Sequence, residues 1–441
     1  MHRAPVETLE PRRLFANAYY IAPDGSPSNT GTINSPLASI NDVTWRVQPG
    51  DTVYLRGGTY FPTQQQSMWC DGAPGGRILF TSYPGERAII DGRNIRAGWQ
   101  DAVSISGDYI DFTNISVRKS REIGIVVYNA SHVRVMYNKV FGSWGVGVWV
   151  GGDAAFGDVL VEGNTVHDNS RKTAVVRPEE GGWGQGITAS TGSNVRVNRN
   201  YVYSNHGEGI GLWKINGAIA DGNWVRDNYS VNVYLDTATN AVVRNNFIFS
   251  TGQTEFSRFN RPASGVQIAT EVAGLPKSRG NLVANNVVVG AGFGFFYGDY
   301  IVGGGLIDST IANNTFIDSV TAAIHIDASN QHSNSRFVNN AAVQQNGGVM
   351  VDAYGGVAGI SFSHNGWFGS TPIAAARSAA DVLTNPRFSG GQRLNPSSYR
   401  LLPDSPLVDA GRTVSPVKFD YARKPRPRGG GYDIGAFELI P

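Results

Sequence analysis

Cysteine is almost missing from this sequence: 441 residues contain one, Cys70. That excludes an intrachain disulfide framework and a cysteine-based metal cluster. Charge is sparse as well. Asp, Glu, Lys and Arg make up 16% of the chain and nearly cancel, leaving +2 at neutral pH. Such a balance argues neither for a nucleic-acid partner nor for a membrane surface. No run approaches the ~18 apolar residues of a membrane span, and helical periodicity is largely lacking. Glycine, by contrast, is plentiful at 55 residues, which suits a chain of many tight turns.

What the chain does have is a repeat. Residues 194–236 read NVRVNRNYVYSNHGEGIGLWKING, then AIADGNWVRDNYSVNVYLD. Asn200 falls on Asn223 and Asn205 on Asn228, each 23 residues later. The same template recurs at Asn114, Asn138, Asn164, Asn246, Asn286, Asn314 and Asn340. A period of about 20–50 residues means a solenoid or an array. The units are short alternating strands such as VRVMYN, VLVEGN and VVRNN, with no helix between them. This predicts an all-β fold, a parallel β-helix with three strands per coil. One coil cannot bury its apolar face, and a stack can. The recurring Asn belongs to structure, because its amide both donates and accepts and stacked copies can bond in a tight corner.

The ends carry a different signal. Residues 19–92 contain YYIAPDGSPSNTGT, SPLASI, QPGDTVYLRGGTY and SYPGERAIIDG; the far end has Asn385-Pro386-Arg387-Phe388, SPLVDAG and KPRPRGGGYDIGAFE. Together these resemble the N-terminal cap and closing segment of secreted right-handed parallel β-helix proteins, many of them polysaccharide lyases or glycosidases. LEPRRLF in the first 18 residues resembles the LEPRxLL-type segment of exported bacterial proteins. The resemblance implies an extracellular bacterial protein acting on a polysaccharide. The chain divides into a tail (1–18), a cap with the first coils (19–92), the β-helix (93–380) and a closing segment (381–441). Residues 38–47 are the one helical candidate, an amphipathic cap over the open end of the first coil.

The Gly-rich strands (GVGVWV, GQGITA, GEGIGLW, VNVYLD, GVQIAT, GFGFFY, AIHID, GVMVD) align into a column of outward residues: Trp149, Thr188, Gly211, Tyr234, Gln267, Phe296, His325 and Met350. Aromatics spaced by small or polar residues suit the stacking of sugar rings. The two longest repeat steps place their additions, residues 169–183 and 250–264, at one corner, and insertions in solenoids gather on the binding face. A further excursion, 271–280, leaves the opposite end of the strand. The walls carry Arg171, Lys172, Arg177, Glu179, Glu180, Trp183, Arg258 and Arg261, and guanidinium groups bind carboxylates bidentately. An acidic glycan is therefore the expected substrate, contacted by Trp149, Trp183, Trp213, Gln267, Arg177, Arg258, Arg261 and Glu271.

On the floor, His206, Glu208, Lys214, Tyr234 and Asp236 are the chemically able groups. A polysaccharide lyase needs a base for the proton α to a uronate carboxyl, a cation for the enolate-like intermediate and an acid for the leaving oxygen. Lys214 or Tyr234 could be the base, a wall arginine the cation, and His206 or Tyr234 the acid. A glycoside hydrolase would need two carboxylates about 5–9.5 Å apart. Register sets Glu208 five residues from Asp236, an offset of about 16 Å, and regular alternation turns Glu208 inward; Asp236 with Glu271 is the other pairing. A non-catalytic adhesin is the third reading. No cofactor is expected, since the paired-Asp calcium cluster of several pectate-lyase families is not apparent, and the protein is expected to act as a monomer. The basic run Arg423–Arg428 reads as a solvated loop.

Overall fold

In a computed structural model, which describes residues 16–96, 98, 100–175 and 184–439, three long sheets run the length of the molecule. They contain 13, 12 and 11 strands, and every pairing within them is parallel. Each coil contributes a strand before the recurring Asn, a strand after it, and a Gly-rich strand. In one coil these are Arg196–Asn198, Tyr201–Tyr203 and Glu208–Trp213. Inward positions stack into the core: Val197, Ala220 and Val243 from the first sheet, Val202, Val225 and Ile248 from the second, Ile210, Val233 and Val266 from the Gly-rich one. Burying each such branched side chain stabilises the fold by about 1.5–3 kcal/mol.

The corner before each Asn is made by a residue with positive φ, as at Arg199, Gly222, Asn245 and Asn285. That bend carries the next residue inside. The Asn223 amide oxygen accepts from both the backbone N–H and the Nδ2 of Asn200, at 2.9 and 3.1 Å; its own Nδ2 donates to Val197 O and Asn246 Oδ1. The ladder so formed runs unbroken from Asn138 to Asn365. Asn114 is outside it: it takes the positive-φ place, and Ile115 occupies the ladder position. A second, shorter ladder joins Asn169, Asn205 and Asn228 at the next corner.

Three expectations are corrected. The helix expected over 38–47 is one turn, Ile40–Val43. Asn, Asp and Thr there favour local side-chain bonds over helix, and Asn41 pairs instead with the edge strand, donating to Gln65 O and accepting from Ser67 N–H. In the last coil the register moves by two residues: Ile324 pairs with Val351 and His325 with Asp352, so Met350 lies in the core rather than on the outer column. The run Arg423–Arg428 is no free loop. Arg426 is buried against Glu438 at 2.5 Å, and Arg423 clasps Asp221.

The closing segment explains which face stays available. Val414, Val417 and Tyr432 cover Ala284, Ala312 and Val338 outside the first sheet. Tyr399, Ala436 and Phe437 cover Phe247, Phe249, Val287 and Val289 outside the second. Open cavities line the outer face of the Gly-rich sheet, and one more, of about 370 Å³, lies between the first sheet and the closing segment. Among the described residues no helix is long and apolar enough to cross a membrane.

Candidate functional site

The site is assembled from three consecutive Gly-rich strands, Glu208–Trp213, Val231–Asp236 and Ser264–Ala269. Registration places Gly211 beside Tyr234 and Tyr234 beside Gln267. Two adjoining cavities, of about 360 and 470 Å³, share Glu208, Tyr234 and Glu271 in their linings. A third, of about 320 Å³, extends the groove past Trp149 to Tyr128. Those two rings stack with centroids 6.3 Å apart.

Tyr234 is at the centre. Its hydroxyl donates to Glu271 Oε1 at 2.5 Å. Burial, followed by the charges of Glu271, Asp236 and Glu208, holds the phenol well above its ordinary range, so it is a proton donor at neutral pH. Glu271 enters from the excursion that follows Ala269. Burial raises its carboxyl, while the Tyr234 hydroxyl works the other way by stabilising the anion. Asp236 accepts from Thr237 Oγ1 at 2.7 Å and from the Glu271 backbone N–H at 3.1 Å, which ties the excursion to the floor. Its carboxyl too is raised by burial.

Glu208 departs from the regular alternation and lies on the outer face. Its carboxylate reaches along the strand over Gly211, where a Cβ would come within 3.4 Å of Oε2. Side-chain reach over a position with no side chain thus carries the carboxylate toward the register of Tyr234. Gln185, its partner one coil earlier, donates to Glu208 Oε2 at 3.2 Å, and Thr188 fixes the Gln185 amide by donating to its oxygen at 2.8 Å. Burial pushes Glu208 up to about 8.

One wall is the hairpin Ser257–Arg258 with Arg261–Pro262, whose two turn residues, Phe259 and Asn260, both have positive φ. It brings Arg258, Arg261 and Phe259 over the floor. Phe259 is 70% exposed at the tip. Arg258 donates to Ser230 Oγ, and Arg261 lies 4.3 Å from the Phe293 ring centre. The other wall leaves the same corner and begins with the helical turn Arg171–Val175; Arg177, Glu179, Glu180 and Trp183 fall outside the described residues.

The remaining candidates divide. Trp149 and Trp213 line the groove, Trp213 at its rim beside Asp236. Gln267 donates to the Tyr300 hydroxyl at 3.1 Å. Lys214 turns away at positive φ and sets its ammonium 3.9 Å over the Trp213 ring, outside the linings that hold Tyr234. His206 packs on Phe256 at 5.0 Å, likewise outside them, and burial lowers its pKa. Sequence reasoning missed Gln185, Phe259 and Tyr300; only Gln185 had a usable signal, its place 23 residues before Glu208. Among the described residues no group of three His, Cys, Asp or Glu side chains is placed to hold a metal ion.

The pectate lyase PEL9 of Emericella nidulans is 41% identical over 82 residues, 19% of this chain and 20% of that protein. The match thus spans about a fifth of the relative's length. The solved structure of pectate lyase Pel9A is 18% identical with a TM-score of 0.57, covering 96% of each chain. XylC in complex with xylose has a TM-score of 0.62 at 12% identity, covering 96% of this chain and 98% of the other. At such identities the likeness concerns the fold. Residues 19–265 match the family described as Pel9A-like, right-handed β-helix region, and the chain belongs to that family.

Proposed function

We propose that the protein is an extracellular polysaccharide lyase that cleaves a uronate-containing glycan by β-elimination in the groove over Glu208, Tyr234 and Glu271. The observation that carries this reading is the Tyr234–Glu271 pair, a phenol and a carboxylate 2.5 Å apart beneath the arginine-bearing hairpin. Elimination needs one group to take the C5 proton and another to protonate the departing C4 oxygen. Glu271 suits the first role and Tyr234 the second, since the surrounding carboxylates disfavour a phenolate. Arg258 and Arg261 would meet the uronate carboxylate, whose charge grows as the proton leaves. The C4–O bond breaks, the C4=C5 bond forms, and the proton returns through Tyr234. Trp149 and Tyr128 would carry neighbouring sugars on their faces. The membership of the Pel9A-like family and the local likeness to a pectate lyase support the same reading.

A second reading is favoured by Glu208. A carboxyl raised to about 8 that lines the same cavity as the carboxyls of Asp236 and Glu271 is also what a glycoside hydrolase uses as acid and base. Product analysis on polygalacturonate, alginate and a neutral galactan separates the two. Elimination gives a conjugated, ultraviolet-absorbing end, and hydrolysis gives only a new reducing end.

A further inference from the structure

A second surface lies outside the groove. Four consecutive coils bend from the post-Asn sheet toward the Gly-rich sheet at one corner, and a cavity of about 460 Å³ there is lined by Arg93, Lys119, Arg121, Trp144 and Arg171, with Glu122 the single acid among the described residues. Arg93 and Gln100 come from the first coil, Lys119 and Arg121 from the next, Trp144 from the third and Arg171 from the fourth. Coils are about 4.8 Å apart, so cations and a ring form a line parallel to the axis. Arg93 is paired with Asp91. Lys119, Arg121 and Arg171 have no ion pair among the described residues, and Arg121 is steadied only by Gln100 Oε1 at 3.3 Å. All three are exposed, as is the Trp144 ring at 37%. A net charge of +2 gives the molecule no general basicity that would explain such a cluster.

We infer that this corner is an accessory binding track for an acidic polysaccharide, separate from the catalytic floor. Cations at coil spacing would meet successive carboxylates, and the indole would take the C–H face of a pyranose. The ring and the amide of Gln100 favour a glycan over other polyanions. The track borders the groove, since Glu122 lies on it and the adjacent Ile123 lines the floor. A polymer held there would be kept beside Tyr234. The choice of ligand rests on the acidic-glycan reading of the groove; the site itself does not.

The test is retardation of the full chain in native gels cast with polygalacturonate, against gels containing a neutral galactan and against a single-stranded oligonucleotide. The wild type should be slowed by the polyuronate alone. Lys119→Glu combined with Arg121→Glu, and Trp144→Ala separately, should each weaken apparent affinity at least about fivefold. The charge-reversed variant should keep its circular dichroism and its turnover of a short oligouronate, which reports an intact floor. Tyr234→Phe, aimed at chemistry, should be retarded like the wild type, so a failure of the lyase reading is visible apart from a failure of the track. Undiminished retardation of both surface variants, no retardation of the wild type, or equal affinity for the oligonucleotide would overturn the proposal.

Discussion

The Tyr234 hydroxyl and Glu271 Oε1 are 2.5 Å apart although the residues are 37 positions apart and lie on different coils. Coil stacking brings them together, and the Asp236 carboxylate fixes the second by accepting its backbone N–H. Removing the hydroxyl removes the proton donor and leaves the ring. Tyr234→Phe should lower kcat by about 10²–10⁴-fold with little change in polymer affinity, measured by steady-state kinetics beside native affinity gels.

Glu208 gives a prediction about pH. Its carboxyl titrates at about 8 in the folded chain against an ordinary 4.5. Between those values the folded protein holds a proton that the unfolded chain has released, so this group's contribution to stability falls as pH rises through that window. Glu208→Gln cannot ionise. Relative to the wild type it should melt higher at pH 9, and the difference should shrink toward pH 4.5, as followed by thermal unfolding across pH. If Glu208 also supplies a proton in turnover, the same variant loses the alkaline limb of the rate profile.

Much of this arrangement was legible in the letters, for a physical reason. A solenoid converts sequence period directly into lateral contact, so aligning Asn200 with Asn223 also aligned Gly211 with Tyr234 and Trp213 with Asp236. What escaped were features that period does not encode. Glu208 breaks the alternation beside Gly209, and the empty surface of Gly211 lets its side chain reach where Cα register did not. Met350 was misplaced because the turn at Gly347-Gly348 shifts the last coil by two residues. Arg426 finds Asn285 across 141 residues, a contact no local pattern announces.

The Asn ladder should prove structural. Asn223→Ala would leave the Asn200 backbone N–H without its acceptor inside the corner and strip the Nδ2 donor from Val197 O and Asn246 Oδ1. Leaving a buried polar group unsatisfied costs about 1–3 kcal/mol, so urea unfolding should show a loss of roughly 3 kcal/mol or more for the set. Asn216→Ala, at an exposed position one coil corner away, should change stability by less than about 0.5 kcal/mol.

The hairpin should govern binding of charge. Arg261 faces the groove from its second strand. Arg261→Ala should raise KM for an acidic polymer by about tenfold and lower kcat as well, and the wild type's own KM should climb with added salt more steeply than the variant's. A neutral glycan should show neither effect.

Elimination at the Tyr234–Glu271 pair is the step on which the proposed activity depends. The direct measurement is ultraviolet absorbance of products formed from polygalacturonate and alginate, recorded in parallel with reducing ends, for the wild type and Tyr234→Phe. Absorbing ends should appear in step with reducing ends for the wild type on at least one of the two polymers, and both signals should be lost in the variant. Reducing ends without absorbance, or an unimpaired variant, would contradict elimination at this pair.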